Sequence, residues 1–424
     1  MTHDRWPAPV AVGPVDAVVT LPGSKSMSNR ALVLAGLATG PTVLRGLLDA
    51  RDTRLMVDAL RGLGVSIVDG EHGCLVTPAQ LAGRTHVDCG LAGTVMRFVP
   101  PVAALAHGPV AFDGDPQARR RPMRELVRAL RHLGVEIDDG GRGALPFVVQ
   151  GDGFVSGGSV TIDASTSSQF VSGLLLAGAR YERGVTVRHV GKPLPSTPHV
   201  DMTVALLRRV GVAVDEQPNT WRVEPGPIGP LDIDIEPDLS NAAPFLAAAL
   251  VTGGSVRVPS WPERTTQHGA VLPELLTRLG GRCWLENTGL SVQGTGGIAG
   301  IDVDLHEVGE LTPVLAAVAA LADSPSWLRG VAHLRGHETD RLAALAAELT
   351  ALGGDVEETA DGLIIRPRPL KGGVFRTYAD HRMAQAGAVL GLAVDGIEVE
   401  DVDTTAKTMP DFAGLWNRML GIAS

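Results

Sequence analysis

The sequence predicts an α/β protein with two similar domains, each built from three copies of a β/α unit with buried helices. A polar or charged loop followed by an apolar helical run occurs six times, and successive copies begin about 70 residues apart, which indicates repeated supersecondary units. The helical runs are rich in Ala, Leu and Val and carry almost no charge, so these helices must be buried. The six loops begin at Pro22, Cys89, Asp163, Glu236, Leu305 and Tyr378.

A second, amphipathic helix alternates with the buried one. In the first unit its apolar positions, at helical spacing, are Leu55, Met56, Ala59, Leu60 and Leu63. Gly64 then ends the helix and a strand follows. The next four units repeat this order of helix, Gly and strand, whereas the sixth unit has no clear copy of it.

Grouping the units three and three gives the predicted domains. A Pro/Gly-rich stretch over residues 225–238 follows the third unit and marks the seam. Because a strand precedes the first unit, we expect the chain to cross between domains near Leu21 and again near Glu236. We therefore predict one domain of residues 22–237 and another of residues 1–21 and 238–424.

Composition excludes several classes of protein. The net charge of −10 argues against bulk binding to nucleic acid or to an anionic membrane, and aromatic residues, at 4%, are too few for base stacking. No apolar run approaches the roughly 18–20 residues of a membrane span, and the N-terminus does not look like a signal peptide. The three cysteines have no metal-ligand spacing. We expect reduced cysteines and a cytoplasmic protein.

The loops before the buried helices carry the candidate binding residues. A helix N-terminus presents unpaired N–H groups and the positive end of the helix dipole, both of which favour anions. The first loop adds Lys25 and Arg30 and several hydroxyls, although it is not a Walker A loop. Other loops contribute Arg97, Gln169 and Arg382. The pattern predicts a site for a small, heavily anionic substrate.

Capping and solvation are the alternative explanation for these loops. Ser167 and Ser168 could simply cap a helix, and the three arginines of residues 115–122 could be solvated surface. Capping does not explain the histidines and Arg341 in residues 333–341. No spacing there supports a metal site, and we expect neither a metal nor another cofactor.

Six short motifs, in order over nearly the whole chain, resemble those of the EPSP synthases, the 3-phosphoshikimate 1-carboxyvinyltransferases. They are PGSKSMSNR, GLAGTVMR, SSQF, GHETDR, DHRM and TAKTMPDF. The resemblance implies a two-domain inside-out α/β barrel, with helices in the core of each domain and sheets outside. It also implies transfer of the enolpyruvyl group of phosphoenolpyruvate to the 5-hydroxyl of shikimate-3-phosphate, with loss of phosphate from a tetrahedral ketal. This reaction belongs to the shikimate pathway of aromatic amino-acid biosynthesis.

The resemblance further assigns roles to the loop residues, with both substrates expected at the domain interface. The residues implied for shikimate-3-phosphate are Lys25, Ser26, Arg30, Ser167, Ser168, Gln169, Ser196, Glu310, His333 and His337. Those implied for phosphoenolpyruvate are Lys25, Gly93, Arg121, Gln169, Arg341, Arg382 and Lys407. Lys25, Glu310 and Glu338 are the implied catalytic residues. Glu310 stands where the family has an Asp that takes the 5-hydroxyl proton, and Glu338, with Lys25, stands where the family protonates and deprotonates the enolpyruvyl carbon.

The chain departs from the family pattern at several of these positions. Leu91 replaces the Asn of a loop usually read as NAGT, and Glu310 is one methylene longer than Asp. His199, His333 and His337 replace a frequent Tyr, Asn and Lys. These changes affect individual substrate contacts, and all except Leu91 exchange one polar residue for another.

Other functions stay open at this point. UDP-N-acetylglucosamine enolpyruvyl transferase performs the same chemistry within the fold, but the reactive Cys of its mobile loop has no counterpart in DGDPQARRRP. From another class, the chain could be a non-catalytic binder of anionic metabolites, for which Glu310 and Glu338 would weaken affinity by repulsion. We expect two small-molecule substrates, no nucleic-acid or membrane partner, and a monomer, because one chain supplies both halves of the presumed cleft.

Overall fold

The computed structural model describes residues 4–422, which divide into two compact units. The continuous unit comprises residues 23–235, and the discontinuous unit combines residues 4–22 with residues 236–422. Residues 1–3 and 423–424, which the predicted domain bounds include, lie outside the described residues. Two strands precede the continuous unit, namely β1 (Arg5–Pro7) and β2 (Asp16–Val18).

The continuous unit contains three repeats with the same order of elements. The first comprises α1 (Lys25–Leu37), β3 (Thr42–Arg45), α2 (Arg51–Gly62), β4 (Ser66–Gly70) and β5 (Gly73–Thr77). The second comprises β6 (Thr85–Asp88), α3 (Gly93–Ala103), β7 (His107–Asp113), α4 (Arg124–His132), β8 (Glu136–Asp138) and β9 (Phe147–Asp152). The third comprises β10 (Gly158–Ile162), α5 (Gln169–Gly178), β11 (Val185–His189), α6 (Pro198–Arg209), β12 (Val214–Gln217) and β13 (Thr220–Val223), and β14 (Ile233–Asp234) follows it.

The discontinuous unit contains repeats four to six. The fourth comprises α7 (Leu239–Thr252), β15 (Ser255–Val258), α8 (Leu272–Arg278), β16 (Arg282–Glu286) and β17 (Gly289–Gln293). The fifth comprises β18 (Asp302–Asp304), α9 (Thr312–Ala320), β19 (Ser326–Arg329), α10 (Arg341–Ala351), β20 (Asp355–Glu358) and β21 (Leu363–Arg366). The sixth comprises β22 (Gly373–Phe375), α11 (His381–Gly391), β23 (Ile397–Glu400) and α12 (Phe412–Met419). Short 3₁₀ segments at His306–Leu311, Ala332–Gly336 and Val402–Lys407 hold predicted site residues.

Each repeat has its own small sheet, and in the described residues the sheets of the first five repeats follow one four-stranded plan. In the second repeat the strand order is β6-β7-β9-β8. The pair β6 and β7 is parallel, with Thr85 opposite Val110, and the other two pairs are antiparallel. A parallel pair requires a crossover connection, and the buried helix α3 provides it. The crossover places that helix on one face of its sheet.

The leading strands of the first and fourth repeats come from other parts of the chain. β14, which follows the third repeat, pairs in parallel with β3 of the first repeat. β2, near the N-terminus, pairs in parallel with β15 of the fourth repeat. The chain therefore passes from one unit to the other twice, after Pro22 and after Ile235.

The sixth repeat differs from the others in its second half. It does contain an amphipathic helix, α12, which buries Phe412, Trp416 and Met419, but no hairpin follows this helix within the residues up to 422 that the structure describes. β1 takes the place of the hairpin and pairs antiparallel with β23. The sequence pattern missed α12 because no strand follows the helix to complete the repeated order.

The crossover helices form one core in each unit. Every residue of α3 and of α11 is buried, as the sequence predicts for helices with almost no charge, and the burial includes Arg97 and Arg382. In the continuous unit α1, α3 and α5 pack against one another, and in the discontinuous unit α7, α9 and α11 do the same. The helices α3 and α5 approach each other closely at Gly173, where a Cβ would lie 2.2 Å from the carbonyl oxygen of Arg97. None of the helices in residues 4–422 combines the length and apolar character that crossing a bilayer requires.

Candidate active site

In the continuous unit, the first turns of α1, α3 and α5 lie together. The side-chain amide of Asn29 donates to Thr94 Oγ1 at 2.6 Å, which joins α1 to the start of α3. Gly93 opens α3, and a Cβ at this position would lie 2.9 Å from Oε1 of Gln169, the first residue of α5. The N-termini of three helices thus meet at one end of the core, where their dipoles favour an anion.

Two arginines and Gln169 surround Gly93. A Cβ on Gly93 would lie 3.0 Å from Arg97 Nη1 and 3.2 Å from Arg121 Nη1. Arg121 Nη1 donates to the carbonyl of Leu91 at 3.3 Å, while its buried Nε has no hydrogen-bond partner. Oε1 of Gln169 is also buried without a hydrogen-bond partner. Buried polar atoms are normally paired, so these unused groups are typical of a ligand-binding position.

Lys25 is the first residue of α1 and lies beside a buried carboxylate. The hydroxyl of Ser24 caps the helix by accepting from the backbone N–H of Met27. Lys25 Nζ lies 3.6 Å from Oδ2 of Asp52, whose side chain is 2% exposed at the start of α2. The opposite charge fixes the direction of the ammonium group. Sequence reasoning did not select Asp52, because an acid in the first turn of a helix is common.

Arg30 is buried and bonded within the continuous unit. The groups that accept from its guanidinium are Thr203 Oγ1, Ser172 Oγ and the carbonyl oxygens of Ser26 and His199, at 2.7–3.3 Å. The guanidinium carbon also lies 5.0 Å from the ring centroid of Phe98. Arg30 therefore joins α1 to α5 and α6, and its expected contact with a substrate stays a prediction.

The predicted serines lie at the starts of α5 and α6. Ser167 Oγ accepts from the backbone N–H of Gln169 at 3.3 Å, so helix capping accounts for this residue. Ser168 is the N-cap residue of α5, but its hydroxyl makes no capping hydrogen bond. Ser196 precedes α6 with a φ of 51°, and its carbonyl accepts from the N–H of His199. Capping thus does not explain Ser168.

In the discontinuous unit, Asp380 joins two of the predicted arginines. Asp380 is fully buried, caps α11 by accepting from the backbone N–H of Arg382 at 2.8 Å, and accepts from Arg341 at 2.8 and 3.2 Å. Burial lowers the pKa of the Arg341 guanidinium, but Asp380 and Glu338 together raise it above its ordinary value. Sequence reasoning did not select Asp380, although the acid that opens the DHRM motif was an available signal.

Glu338 bonds to two predicted cations at once. Its Oε2 accepts from Arg341 Nη2 at 3.1 Å, and its Oε1 accepts from Lys407 Nζ. The side chains of Glu338 and Lys407 are no more than 10% exposed. His337 Nδ1 lies 3.3 Å from Arg341 Nη1. These four predicted residues therefore form one buried polar network.

Arg382 connects the starts of α7, α9 and α11. Its guanidinium donates to the carbonyl and the hydroxyl of Ser240 at 2.9 and 2.6 Å, and Nη2 lies 3.4 Å from Glu310 Oε2. Glu310, in the 3₁₀ segment that leads into α9, has its Oε2 3.2 Å from His268 Nε2. Arg382 Nε is buried without a hydrogen-bond partner. The discontinuous unit thus repeats the arrangement of three helix N-termini around a fixed arginine. Sequence reasoning selected neither Ser240 nor His268, which lie far from the motifs.

Three histidines lie beside this network. The ring of His333 is 5.6 Å from that of His306 and 5.7 Å from that of His337, measured between centroids. Burial, then the neighbouring His306 and Arg341, lowers the pKa of His333 to about 4. The His333 imidazole is therefore neutral at neutral pH, and its buried Nε2 has no hydrogen-bond partner.

Comparison with known proteins decides the family. The family model described as EPSP synthase (3-phosphoshikimate 1-carboxyvinyltransferase) matches residues 10–416. The chain belongs to the EPSP synthase family. As a member of this family, it transfers the enolpyruvyl group of phosphoenolpyruvate to the 5-hydroxyl of shikimate-3-phosphate, in the shikimate pathway of aromatic amino-acid biosynthesis.

Solved structures agree with the family. Two structures of EPSP synthase from Acinetobacter baumannii match with TM-scores of 0.83 and 0.82, at 26% identity and over 98% of both chains. The enolpyruvyl transferase NikO from Streptomyces tendae matches with a TM-score of 0.75 at 17% identity, over 97% of this chain and 96% of its own, which shows a shared fold. The predicted two-domain inside-out α/β fold is confirmed, and the UDP-N-acetylglucosamine enolpyruvyl transferase alternative is less supported.

Proposed function

We propose that the polar clusters of the two units act on one pair of substrates. The observation that carries the proposal is that both clusters have the same construction: three helix N-termini around arginines held by protein contacts. Both substrates of EPSP synthases are polyanions. Fixed cations and helix dipoles offset their repulsion without reorganising during the reaction. Orienting the two substrates could lower the barrier by roughly 7–11 kcal/mol.

The phosphoenolpyruvate contacts are assigned to residues at the edges of these clusters. They are Lys25, Gly93, Arg121, Gln169, Arg341, Arg382 and Lys407. Support comes from the unpartnered Nε atoms of Arg121 and Arg382 and from the unpartnered Oε1 of Gln169. A guanidinium matches a carboxylate or phosphate in two-pronged geometry. The lack of a side chain at Gly93 leaves room for an anion among Arg97, Arg121 and Gln169.

The shikimate-3-phosphate contacts are assigned to hydroxyls, an amide and imidazoles. They are Lys25, Ser26, Arg30, Ser167, Ser168, Gln169, Ser196, Glu310, His333 and His337. The hydroxyl of Ser168 at the N-terminus of α5 suits a phosphate oxygen. The neutral imidazole of His333 suits a sugar hydroxyl, because it can donate or accept a hydrogen bond.

The catalytic roles follow from the movement of protons in the reaction. The 5-hydroxyl oxygen adds to C2 of phosphoenolpyruvate while C3 gains a proton, and the tetrahedral ketal then loses phosphate and a C3 proton. We assign removal of the 5-hydroxyl proton to Glu310, and protonation of C3 to Lys25, which Asp52 orients. We assign removal of the C3 proton in the second step to Glu338, which Lys407 and Arg341 hold in place.

The assignment of Lys25 is tested by Lys25→Met, a change of similar length that removes the ammonium. We expect turnover in a phosphate-release assay to fall by about 10²- to 10⁴-fold, the usual contribution of one positioned proton-transfer group. The far-ultraviolet circular dichroism should stay that of the folded chain, whereas the unfolding midpoint should fall, because the buried carboxylate of Asp52 loses its neighbouring cation. Lys192→Met in the same unit is the matched control, since this side chain is exposed. Wild-type turnover in Lys25→Met would remove Lys25 from the mechanism.

The chain is further proposed to act as a monomer in the cytoplasm on small-molecule substrates. Cys74, Cys89 and Cys283 are free thiols, which fits a reducing compartment. Residues of one chain supply both clusters, so no second copy is needed to complete them. A dimer in light scattering, with activity lost on dilution, would contradict the monomer.

A further inference from the structure

The loop between β22 and α11 contains a strained turn and ends at Asp380, whose carboxylate binds Arg341. The N–H of Asp380 donates to the carbonyl of Thr377 at 2.9 Å, closing a four-residue turn. The two central residues, Tyr378 and Ala379, have φ values of 55° and 56°. Such turns normally use Asn, Asp or Gly, because a Cβ disfavours positive φ. Among the described residues this is the sole adjacent pair of non-glycine residues with positive φ.

Glu348 holds this turn from the adjacent helix α10. Its side chain is 2% exposed, and its Oε1 accepts from the hydroxyl of Tyr378 at 2.6 Å. Its Oε2 accepts from the backbone N–H of Arg376 at 3.0 Å. Burying a carboxylate costs free energy unless it is hydrogen-bonded. Here both oxygens of Glu348 accept hydrogen bonds from the loop that contains the turn. The hydroxyl of Tyr378 is therefore bonded although its ring is exposed.

The same helix also contacts the end of the turn. Arg341, at the start of α10, binds the carboxylate of Asp380 through two hydrogen bonds. Residues seven apart in a helix lie on the same face, so Arg341 and Glu348 hold the turn at two points about two helical turns apart. Asp380 in turn caps α11 through the N–H of Arg382. A change in the turn would displace the guanidinium of Arg341 and the start of α11, from which the side chain of Arg382 extends.

We propose that Glu348 and Tyr378 are positioning residues for the phosphoenolpyruvate contacts. Neither is assigned a contact with a substrate. Their hydrogen bond keeps two residues at positive φ, and this backbone keeps Asp380 between Arg341 and Arg382. The inference rests on the proposed function, because it takes these two arginines as ligands of phosphoenolpyruvate. It predicts that loosening the turn weakens the binding of phosphoenolpyruvate more than it slows catalysis.

The test is steady-state kinetics of Tyr378→Phe, which removes the hydroxyl alone. We expect KM for phosphoenolpyruvate to rise 5- to 20-fold, with kcat and KM for shikimate-3-phosphate within 2-fold of wild type. Glu348→Gln should also raise KM for phosphoenolpyruvate, because the side-chain amide has one acceptor oxygen whereas the carboxylate has two. Should Glu348→Gln fail to fold, Tyr378→Phe still tests the proposal.

A second substitution separates positioning from general stability. Glycine adopts positive φ without steric cost, so Ala379→Gly in the Tyr378→Phe background should hold the turn without the hydroxyl and return KM to within 2-fold of wild type. Tyr181→Phe is the matched control, because it removes another tyrosine hydroxyl, which donates to the carbonyl of Pro101 at 3.0 Å in the continuous unit. It should lower stability and leave KM for phosphoenolpyruvate unchanged.

Two results would overturn the inference while leaving the proposed function in place. One is an unchanged KM for phosphoenolpyruvate in Tyr378→Phe when the wild type is active. The other is a raised KM for phosphoenolpyruvate in Tyr378→Phe that the added substitution Ala379→Gly does not reverse. A wild type that releases no phosphate from the two substrates would instead contradict the proposed function itself.

Discussion

At the level of single residues, the buried charge of Arg341 is balanced by neighbouring carboxylates. Arg341 is 2% exposed, and Asp380 and Glu338 both bond to it. Removing one partner from a buried ion pair typically costs about 3–5 kcal/mol, because the other charge is left uncompensated. The carboxylates among these arginines therefore stabilise the fold and also aim the guanidinium groups. This double role explains why carboxylates occur among the cations. A protein that only binds anions would gain less affinity from them, because carboxylates repel an anionic ligand.

His333 gives the unfolding free energy a defined dependence on pH. Its folded pKa of about 4 lies below the ordinary value of 6.5, so the unfolded state takes up a proton first as pH falls. The stability from this site is complete above pH 6.5 and is lost progressively as pH falls from about 6.5 towards 4. The full loss would be at most about 3 kcal/mol.

The measurement is urea unfolding of wild type and His333→Asn between pH 7 and pH 4. We expect the variant to lose less stability than wild type over this interval, because Asn does not titrate. The exposed His72 offers the control, since His72→Asn should keep the wild-type dependence. Parallel curves for wild type and His333→Asn would show that this imidazole is not held neutral by burial.

At this scale, site residues that lie within motifs were predictable from the sequence, whereas site residues that only folding brings together were not. Lys25, Arg341 and Arg382 stand at helix starts, where dipole arguments apply to the sequence directly. Asp52 lies 27 residues from Lys25 and Ser240 lies 142 residues from Arg382, and no local pattern connects these pairs. Their roles depend on packing of helices whose contacts the sequence does not state.

At the level of elements, the crossover helices both fill the core and present their N-termini. Their burial follows from the apolar runs, and the structure confirms it for α1, α3, α5 and α11. The helices begin earlier than the apolar runs, inside the polar loops, at Lys25, Gly93, Gln169 and His381. The close packing of these helices needs small residues. Gly173 on α5 is one of them, because α3 approaches it with a backbone carbonyl.

Gly173→Ala should destabilise the continuous unit by forcing α3 and α5 apart. The new Cβ would lie 2.2 Å from the carbonyl oxygen of Arg97, a backbone atom that cannot rotate away. Overpacking of this kind costs about 1–3 kcal/mol, to be measured by urea unfolding. Gly226→Ala is the control, because a Cβ there meets no atom within 4 Å. Equal stability of the two variants would mean that the helices separate at no cost.

The pairing partners of β1, β2 and β14 were not predictable from the sequence, although a strand before the first unit and two crossings of the chain were expected. β14 has two residues and β1 and β2 have three each, too few to show a period of two. Their partners lie in other repeats, so pairing depends on the closure of each unit and not on neighbours in sequence. The pairing of β1 with β23 takes the place of the hairpin that the sixth repeat lacks.

At the level of the whole molecule, six copies of one β/α unit provide six helix N-termini in two clusters. The chain is acidic overall, with a net charge of −10, yet its buried arginines and Lys407 concentrate positive charge at these N-termini. The repeated β/α units and their buried helices were predictable from the sequence pattern, whereas the inside-out arrangement was implied by the resemblance of the motifs to a known family. The activity was predictable from the ordered motifs, and the family comparison confirms it. Which atoms contact which substrate stays a proposal, because contacts depend on side-chain geometry around a ligand.

The most direct test of the account is a product analysis of the purified chain incubated with shikimate-3-phosphate and phosphoenolpyruvate. Phosphorus-31 nuclear magnetic resonance and mass spectrometry would follow both substrates and all products. The account predicts that one phosphate is released for each shikimate-3-phosphate consumed, with the enolpyruvyl ether as product. Phosphate release without loss of shikimate-3-phosphate would indicate a phosphatase, and binding of both substrates without phosphate release would indicate a metabolite binder; either result contradicts enolpyruvyl transfer.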